Sequence, residues 1–543
     1  MDPREHQSAS LDTAPGPQAV FRRLFSNDHK SVGLRFLWLA LFSVVFGMTL
    51  SLLMRLQLMH QAAAAPADPD RYAAITLLHG SLMVFFVLTA APQCGFGYFI
   101  LPLQIGAREM AFPMLSGFSF WMTAASLVGI SISIFIAPSN GASLWLLSVM
   151  CFCAAMLIAS LNICVTVMNL RAKGMTLPRM PITAWAWFIT AILSFLIFSI
   201  LLASSTLLVS DRLFGTHFFG IASQIPVVAS AIWQRWFWFF AQAEVYVAML
   251  PCFGVATHLL AIYSRKPLWS ERLAVLALCG VGLFGFCIWG EHMFMSGLSP
   301  YTPLVFSMLA SSLGAPALLL VVCWFGTLWN GEIRLSTAML FALGFVSLFL
   351  SGGLSGIFLA RREFSGGNTG DAFVAGHFHL VMGVAATFAI LAALFFWFPK
   401  MFGRRLNETL GKLHFWLTFV GVYILFMSMH WLGLLERSTP AGTAPGHEAL
   451  RTLITFATIA TVSAQILFLF NFSWSLLRSE STSEKNPWRA TTLEWSVASP
   501  PPSKNFQGGV PVVFRGAYEL GVPLAGEDFV PQHLAPDQLA KLR

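Results

Sequence analysis

The tetrapeptide Gly376-His377-Phe378-His379 lies inside a long apolar run, and the interpretation of the whole chain starts from it. Successive residues of an α-helix are rotated by about 100°, so these two histidines point about 200° apart, to opposite sides of one helix. An imidazole in an apolar environment needs a polar partner, and two that face away from each other cannot share one ligand. The motif therefore predicts two separate bound groups, one on each side of this helix.

The composition indicates a membrane protein. Of the 543 residues, 57% are hydrophobic and 10% are charged, which is more apolar surface than a soluble protein can hide. About twelve apolar stretches exceed the ~20 residues that a bilayer crossing needs. We therefore expect an all-α polytopic membrane protein with about twelve transmembrane helices. The formal charge of +8 lies mostly in short loops and does not indicate nucleic-acid binding.

The basic loops predict the orientation of the chain. Arginines and lysines follow the fourth, sixth and tenth apolar stretches, on the side that both termini share. The positive-inside rule places that side, and both termini, on the cytoplasmic side of a bacterial-type inner membrane. We expect a polar N-terminal extension over residues 1–26, a membrane domain over 27–477 and a cytoplasmic tail over 478–543.

Three histidines are candidate ligands for the two bound groups. His79 lies beside Gly80 in the second apolar stretch, where a missing side chain lets a bulky flat group approach the backbone. A haem with two axial histidines transfers electrons, whereas a haem with one histidine keeps a face for a diatomic ligand. His79, His377 and His379 would suit one haem of each kind. The alternative, for any one of them, is a packed and hydrogen-bonded core histidine.

Further segments match one known family. They are Asn27-Asp28-His29-Lys30, Gly95-Phe96-Gly97, the run from Leu101 to Ala107, the run from Asn486 to Trp495, and Ser499-Pro500-Pro501-Pro502. On these motifs the sequence resembles subunit I of the haem–copper oxidase superfamily, nearest to the cytochrome c oxidase type. The resemblance implies that His79 and His379 are the axial ligands of a low-spin haem. It also implies that His377 holds a high-spin haem, and Arg437 loosely matches an arginine that holds haem propionates.

The sequence departs from that family where a copper ion would lie. The family's His-Pro-Glu-Val-Tyr segment reads Gln242-Ala243-Glu244-Val245-Tyr246, and its adjacent histidine pair reads Glu291-His292. An amide, a carboxylate and one imidazole form an oxygen-richer set that favours non-haem iron or manganese over copper(I). Copper(II) binds more tightly than iron(II) in general, so copper stays an alternative. Glu244 would join these ligands only on a distorted helix.

A second departure concerns the reaction. In the family the tyrosine that matches Tyr246 is joined covalently to the first copper ligand and helps to split oxygen. Gln242 cannot form that bond. Oxygen reduction to water needs four electrons, whereas joining two nitric oxide molecules into nitrous oxide and water needs two. The lysine of one family proton channel is Leu320 here, and two asparagines of the other are Tyr98 and Ser116.

The leading hypothesis is a respiratory nitric oxide reductase. Its catalytic residues would be Glu244, Tyr246 and Glu291, and its non-haem metal ligands Gln242, Glu291, His292 and Glu244. The alternatives are an oxygen reductase with a modified copper site and a non-catalytic haem relay or sensor. The sequence has no copper-A or haem-c motif. We therefore expect a subunit II-like partner, carrying copper-A or haem c or linked to quinol, to deliver electrons.

Overall fold

The computed structural model describes residues 25–59, 68–219, 231–290, 302–359, 372–438, 447–481, 484–506, 508–524 and 527–542. Eleven helices within these ranges are long and apolar enough to cross a membrane. A further helix, Glu271–Cys287, matches the remaining predicted span. The prediction of an all-α membrane protein with about twelve transmembrane helices is confirmed.

The helices are numbered here in chain order. They are α1 (His29–Met59), α2 (Pro69–Ser81), α3 (Gly97–Ile105), α4 (Pro113–Ser133), α5 (Pro138–Asn169), α6 (Ile182–Phe214), α7 (Ala231–Tyr263), α8 (Glu271–Cys287), α9 (Thr302–Leu328), α10 (Thr337–Leu359), α11 (Ala372–Phe378), α12 (Val384–Phe402), α13 (Glu408–Ser438), α14 (His447–Arg478) and α15 (Pro536–Leu542). Short 3₁₀ turns cover Leu177–Arg179 and Leu493–Ser496.

Two of the spans are composite. A π-helical segment, Leu82–Phe96, joins α2 to α3, and a π-helical turn, His379–Gly383, joins α11 to α12. Such i→i+5 turns are rare and are frequently found at functional sites. The first begins three residues after His79, and the second begins at His379 itself. The regular α-helix that the sequence predicts is therefore distorted next to both candidate ligands of the low-spin haem.

The composite span that carries His79 has clear signals at both ends. Asp68 caps its start, because the carboxylate Oδ1 accepts a hydrogen bond from the amide of Arg71 at 3.0 Å and Pro69 occupies the first turn. Gly106 ends it with a left-handed backbone (φ 77°), which favours glycine. A Cβ at this position would also lie 2.5 Å from Cβ of Ala172.

The helices differ greatly in how much neighbouring protein covers them. Helix α7 carries Gln242, Glu244 and Tyr246. Of its most apolar 18-residue stretch, 89% is buried inside the protein. The corresponding shares are 28% for α1 and 22% for α9. Helix α7 is therefore the central element of the bundle, and α1 and α9 present much of their apolar surface outward, as lipid-facing helices do.

The chain after α14 packs against one end of the bundle. It forms an antiparallel pair of strands, β1 (Leu520–Leu524) and β2 (Glu527–Phe529), with Leu520 opposite Phe529, and then α15. The amide of Val513 donates to the carbonyl of Lys173 at 2.9 Å, in the loop after α5. This places the tail on the side of the basic loops, as an even number of spans requires. The cytoplasmic assignment of that side and the three-part division of the chain stay predictions.

Candidate active site

A cavity of about 480 Å³ opens between α1, the two composite spans, α13 and α14, and both His79 and His379 line it. Nδ1 of His79 lies 2.8 Å from the carbonyl oxygen of Gly47, and Nδ1 of His379 lies 2.7 Å from that of Ala375. A neutral imidazole that donates from Nδ1 keeps its lone pair on Nε2. In the described part of the chain neither Nε2 has a hydrogen-bond partner, so each ring is prepared to bind a metal.

The surroundings of this cavity fit a haem. Its lining is mostly aliphatic and aromatic, and a Cβ added at Gly80 would meet nothing within 4 Å. Open space beside His79 is what the glycine in the sequence predicts for a flat group. The ring of Phe426 stacks on His379, with 4.8 Å between the ring centroids. The donor atoms, the space and the apolar walls therefore suit a haem with two axial histidines.

The sequence interpretation missed a cation of this cavity, Arg55. Near the end of α1, its Nη2 donates to the carbonyl of Arg451 at 3.2 Å and its Nε donates to Oγ1 of Thr455 at 3.3 Å. An arginine inside an apolar span is a signal of function that could have identified it. Arg437, the predicted propionate ligand, lies 5.7 Å from the centroid of the Phe373 ring. Its role stays a prediction.

His377 faces a different helix from His379. Its Nδ1 lies 2.9 Å from Oγ of Ser355 and 3.1 Å from the carbonyl oxygen of Gly352, both on α10. The ring contacts of His379 lie instead on α13, through Phe426. The structure thus brings the two histidines to different neighbours, as the spacing of the motif predicts. The assignment of His377 to a high-spin haem stays a prediction.

The predicted metal ligands are only partly described. Glu291 and His292 lie outside the described residues, whereas Gln242 lies buried on the central helix α7. In the described ranges no three His, Cys, Asp or Glu side chains converge as a metal-binding group. The ring of Tyr246 packs over Gly285, where an added Cβ would lie 2.4 Å from its Cδ2. The non-haem metal site therefore stays a prediction.

The carboxyl group of Glu244 points toward the π-helical segment. Its Oε1 accepts a hydrogen bond from the hydroxyl of Thr89, and its Oε2 is buried with no hydrogen-bond partner among the described residues. The sequence interpretation missed Thr89, although polar residues in this apolar segment, Thr89 and Gln93, are a signal. The role of Glu244, as a metal ligand or as an acid, stays a prediction.

The positions that match the family's two proton channels carry different kinds of side chain in this structure. Leu320, in place of the lysine of one channel, is fully buried on α9. At the other channel, the hydroxyl of Tyr98 lies 3.2 Å from Oγ of Ser119. Asn162 donates to Oγ of Ser116 at 2.8 Å. The positions where asparagines are expected thus still carry hydrogen-bonding side chains.

Known proteins show which family this arrangement belongs to. Residues 31–476 match the family described as cytochrome c and quinol oxidase polypeptide I. The chain is 37% identical to the alternative cytochrome c oxidase subunit 1 of Bradyrhizobium diazoefficiens, over 95% of this chain and 93% of that one. It is 34% identical to cytochrome c oxidase subunit 1 of a Synechocystis species, over 92% of each chain.

A solved structure shares the fold. A haem–copper terminal oxidase, determined as a dimer by cryo-electron microscopy, superimposes with a TM-score of 0.71 and 16% sequence identity. The match covers 84% of this chain and 85% of that one. Together with the family match over most of the spans, these findings show that the chain belongs to the cytochrome c and quinol oxidase polypeptide I family, the haem-binding catalytic subunit I of haem–copper oxidases.

Proposed function

We propose that this subunit I reduces nitric oxide, converting two NO, two electrons and two protons into N₂O and water. The observation that carries the proposal is Gln242 on the buried central helix, where the family has its first copper ligand and the partner of the tyrosine cross-link. The chain retains Tyr246, but Gln242 cannot form the covalent bond to it. A two-electron reaction is the chemistry that remains when the extra electron of that tyrosine is no longer available.

The residues divide the work as follows. His79 and His379 would hold the low-spin haem, His377 the high-spin haem, and Gln242, Glu291 and His292 a non-haem metal, with iron favoured over copper. When bound, these groups would supply the electrons and would bind the gas. The apolar side chains of the helices exclude bulk water and admit a small neutral molecule.

We assign to Glu244 the role of proton donor in this reaction. A charged carboxylate is costly in a membrane interior, so this buried group is expected to rest as the neutral acid and to carry a proton. In the part of the chain that the structure describes, its Oε2 has no hydrogen-bond partner, so the acid keeps an oxygen from which to give its proton. Both protons of the reaction would pass from the cytoplasmic side, and the electrons would arrive through a subunit II-like partner in the bacterial inner membrane.

Oxygen reduction is the second candidate. Relatives of this chain are named cytochrome c oxidase subunit 1, and one of them is named alternative cytochrome c oxidase subunit 1. Tyr246 and Glu244 are also retained from the oxidase motif. Under this hypothesis Gln242 and Glu291 would modify the copper site without changing the substrate.

Metal analysis of the purified complex, read against turnover, separates the two. One non-haem iron per two haems, with NO consumed and N₂O released, supports nitric oxide reduction. One copper with oxygen consumption and no N₂O supports the oxidase. No third metal and no turnover with either gas would contradict both and leave a haem relay or sensor.

A further inference from the structure

The exposed side chains of helix α8 all lie on one face of that helix. Positions separated by four, three and four residues return to nearly the same direction on an α-helix. At 1.5 Å per residue the face extends over about 16 Å, which is close to one leaflet of a bilayer with an apolar core of ~30 Å. We call this face the α8 stripe; it consists of Arg272, Leu276, Cys279 and Leu283.

The C-terminal half of α9 carries a similar face. Helices α8 and α9 lie close together, since a Cβ added at Gly280 would lie 2.9 Å from Cβ of Pro316. The exposed residues from Pro316 to Trp329 are again spaced by four, three and four. We call them the α9 stripe; they are Leu318, Val322, Phe325 and Trp329.

The two stripes begin at one place. Trp269, three residues before Arg272, packs on α9, where a Cβ added at Gly326 would lie 2.5 Å from Cγ of the tryptophan. Nζ of Lys266 donates to the carbonyl oxygens of Gly326, at 3.0 Å, and of Trp329, which leaves one of its three N–H groups. The start of α8 therefore meets the end of α9. We call Lys266, Trp269, Arg272 and Trp329 the head cluster.

The head cluster lies at the level of a membrane surface. Trp269 is 51% exposed and Trp329 is 74% exposed, and tryptophan side chains concentrate where a membrane meets water. The neighbouring Arg265 pairs with Asp528 of the tail at 2.5 Å, so the cluster lies on the side of the tail and the basic loops. That is the side that the charge pattern predicts to be cytoplasmic, where the membrane surface is negatively charged.

The positive charge of the head cluster is not balanced within the described ranges. The guanidinium of Arg272 forms no ion pair there, and the neighbouring carboxylates are directed elsewhere. Oε1 of Glu271 faces the tail, 3.9 Å from where a Cβ at Gly516 would lie. Glu332, in the loop after α9, contacts Arg334 at 3.3 Å. An anionic group at the head cluster would therefore meet positive charge that no carboxylate offsets.

The stripes suit acyl chains better than a partner's helix. Interfaces between membrane helices are enriched in small residues, which let two backbones approach each other. The stripes instead expose large aliphatic and aromatic side chains, between which flexible hydrocarbon chains can lie. These side chains are Leu276, Leu283, Leu318, Val322 and Phe325.

We propose that the head cluster and the two stripes bind one anionic phospholipid of the leaflet on the tail side. Its phosphate lies at Arg272 and Lys266, the two tryptophans flank the headgroup, and the acyl chains follow the stripes. The inference goes beyond the proposed function and does not depend on it, so its failure would leave the reaction with NO untouched.

Cys279 makes the proposal testable in the whole complex. All eight cysteines lie in the described part of the chain, and Cys279 is the exposed one, in the middle of the α8 stripe. A bimane fluorophore attached there is quenched by a brominated lipid that lies on the stripe, and Cys279→Ser gives the background. The complex is placed in vesicles of phosphatidylglycerol and phosphatidylcholine, with one or the other brominated. We expect brominated phosphatidylglycerol to quench more strongly.

The headgroup contact is tested by changing one charge. Arg272→Gln should lower the preference for phosphatidylglycerol by about fivefold, and Arg272→Lys should keep it. Arg108→Gln is the matched control, because this exposed arginine lies in the loop after α3, which has no tryptophan. Its preference should equal that of the natural chain.

Three results would overturn the proposal. Equal quenching by the two lipids would show a lipid-facing surface without a headgroup site. A preference that survives Arg272→Gln, or is lost equally in Arg108→Gln, would show that Arg272 does not hold the headgroup. A Cys279 thiol that cannot be labelled in the complex, or a label that neither lipid quenches, would show that a partner's helix covers the stripes.

Discussion

At the scale of single residues, backbone carbonyls orient the candidate haem ligands. The Nδ1 atoms of His79 and His379 each face one carbonyl oxygen, on Gly47 and Ala375. Because this contact uses the N–H of each ring, Nε2 is left as the metal-binding atom, and the ring orientation is set before a haem binds. A haem that needs two such ligands should be lost when either one is removed.

His379→Ala should therefore abolish the low-spin haem signal and roughly halve the haem content of the purified complex. The measurement is the pyridine haemochrome spectrum per mole of protein, with the low-spin signal followed by electron paramagnetic resonance. His414→Ala is the control, since that buried imidazole lies outside the cavity and contacts Oε1 of Gln465 at 2.9 Å. Unchanged haem content in His379→Ala would contradict the assignment.

Gln242→His returns an imidazole to the first ligand position of α7. The donor set then becomes two imidazoles and one carboxylate, which is softer and suits copper better than the natural set. We expect the copper content per two haems to rise and the iron content to fall, measured by plasma emission spectrometry. A metal content that does not change with Gln242→His would show that residue 242 does not touch the metal.

At the scale of elements, the span with His79 lies very close to α1. A Cβ added at Gly33 would lie 2.7 Å from the carbonyl oxygen of Gly95 and 2.9 Å from the amide of Phe99. Small residues allow membrane helices to approach to this distance. Since both contacts are with backbone, a larger residue at position 33 forces the helices apart and shifts the wall of the haem cavity.

Gly33→Ala should accordingly cost about 1–3 kcal/mol of stability and lower the thermal unfolding temperature of the complex in detergent. Haem retention during heating, followed by absorbance, should fall with it. Gly314→Ala on α9 is the matched control, because an added Cβ there would meet nothing within 4 Å. Equal unfolding temperatures for the two variants would argue against the tight crossing.

At the scale of the whole molecule, the tail covers one end of the bundle through a few polar and charged contacts. Asp528 in β2 meets Nη2 of Arg265 at 2.5 Å and Nη2 of Arg334 at 3.2 Å. The hydroxyl of Tyr518 lies 2.9 Å from Nδ1 of His258. The 3₁₀ turn of the tail also buries Glu494 beside Gln104, at 3.0 Å, and burial raises the pKa of this carboxyl.

Docking of the tail should depend on pH through Asp528. Hydrogen bonding to Arg265 lowers the pKa of this carboxyl below its ordinary value of 3.8. A lowered carboxyl pKa stabilises the docked tail above pH 3.8, and this contribution is lost as the pH falls through the lowered pKa. Limited proteolysis of the tail, with an acid-active protease, should therefore accelerate only below about pH 4.

The variant Asp528→Asn removes the charge at all pH values, so its tail should be cut faster than the natural tail at neutral pH. Glu332→Gln is the control, because that exposed carboxylate also contacts Arg334, at 3.3 Å, but belongs to a loop and not to the tail. Faster cutting in Glu332→Gln, or equal cutting of Asp528→Asn and the natural chain, would contradict the proposed role of Asp528 in holding the tail.

Much of this molecule follows from short-range features of the sequence. The number of spans follows from apolar length, because a bilayer sets how many residues one crossing needs. The opposite directions of His377 and His379 follow from helix geometry within four residues. The family resemblance follows from local motifs, each of which lies within one short segment. Each of these features depends on neighbours in the chain and survives any change in how the helices pack.

The tertiary structure alone decided the contacts between spans. Thr89 meets Glu244, Arg55 meets Thr455, and Asp528 meets Arg265, over 155, 400 and 263 residues of sequence. The π-helical distortions beside the histidines also depend on packing, since the local sequence predicts a regular helix there. A side chain's partner across a bundle is set by helix rotation and crossing, and the residue pattern of one helix does not contain that information.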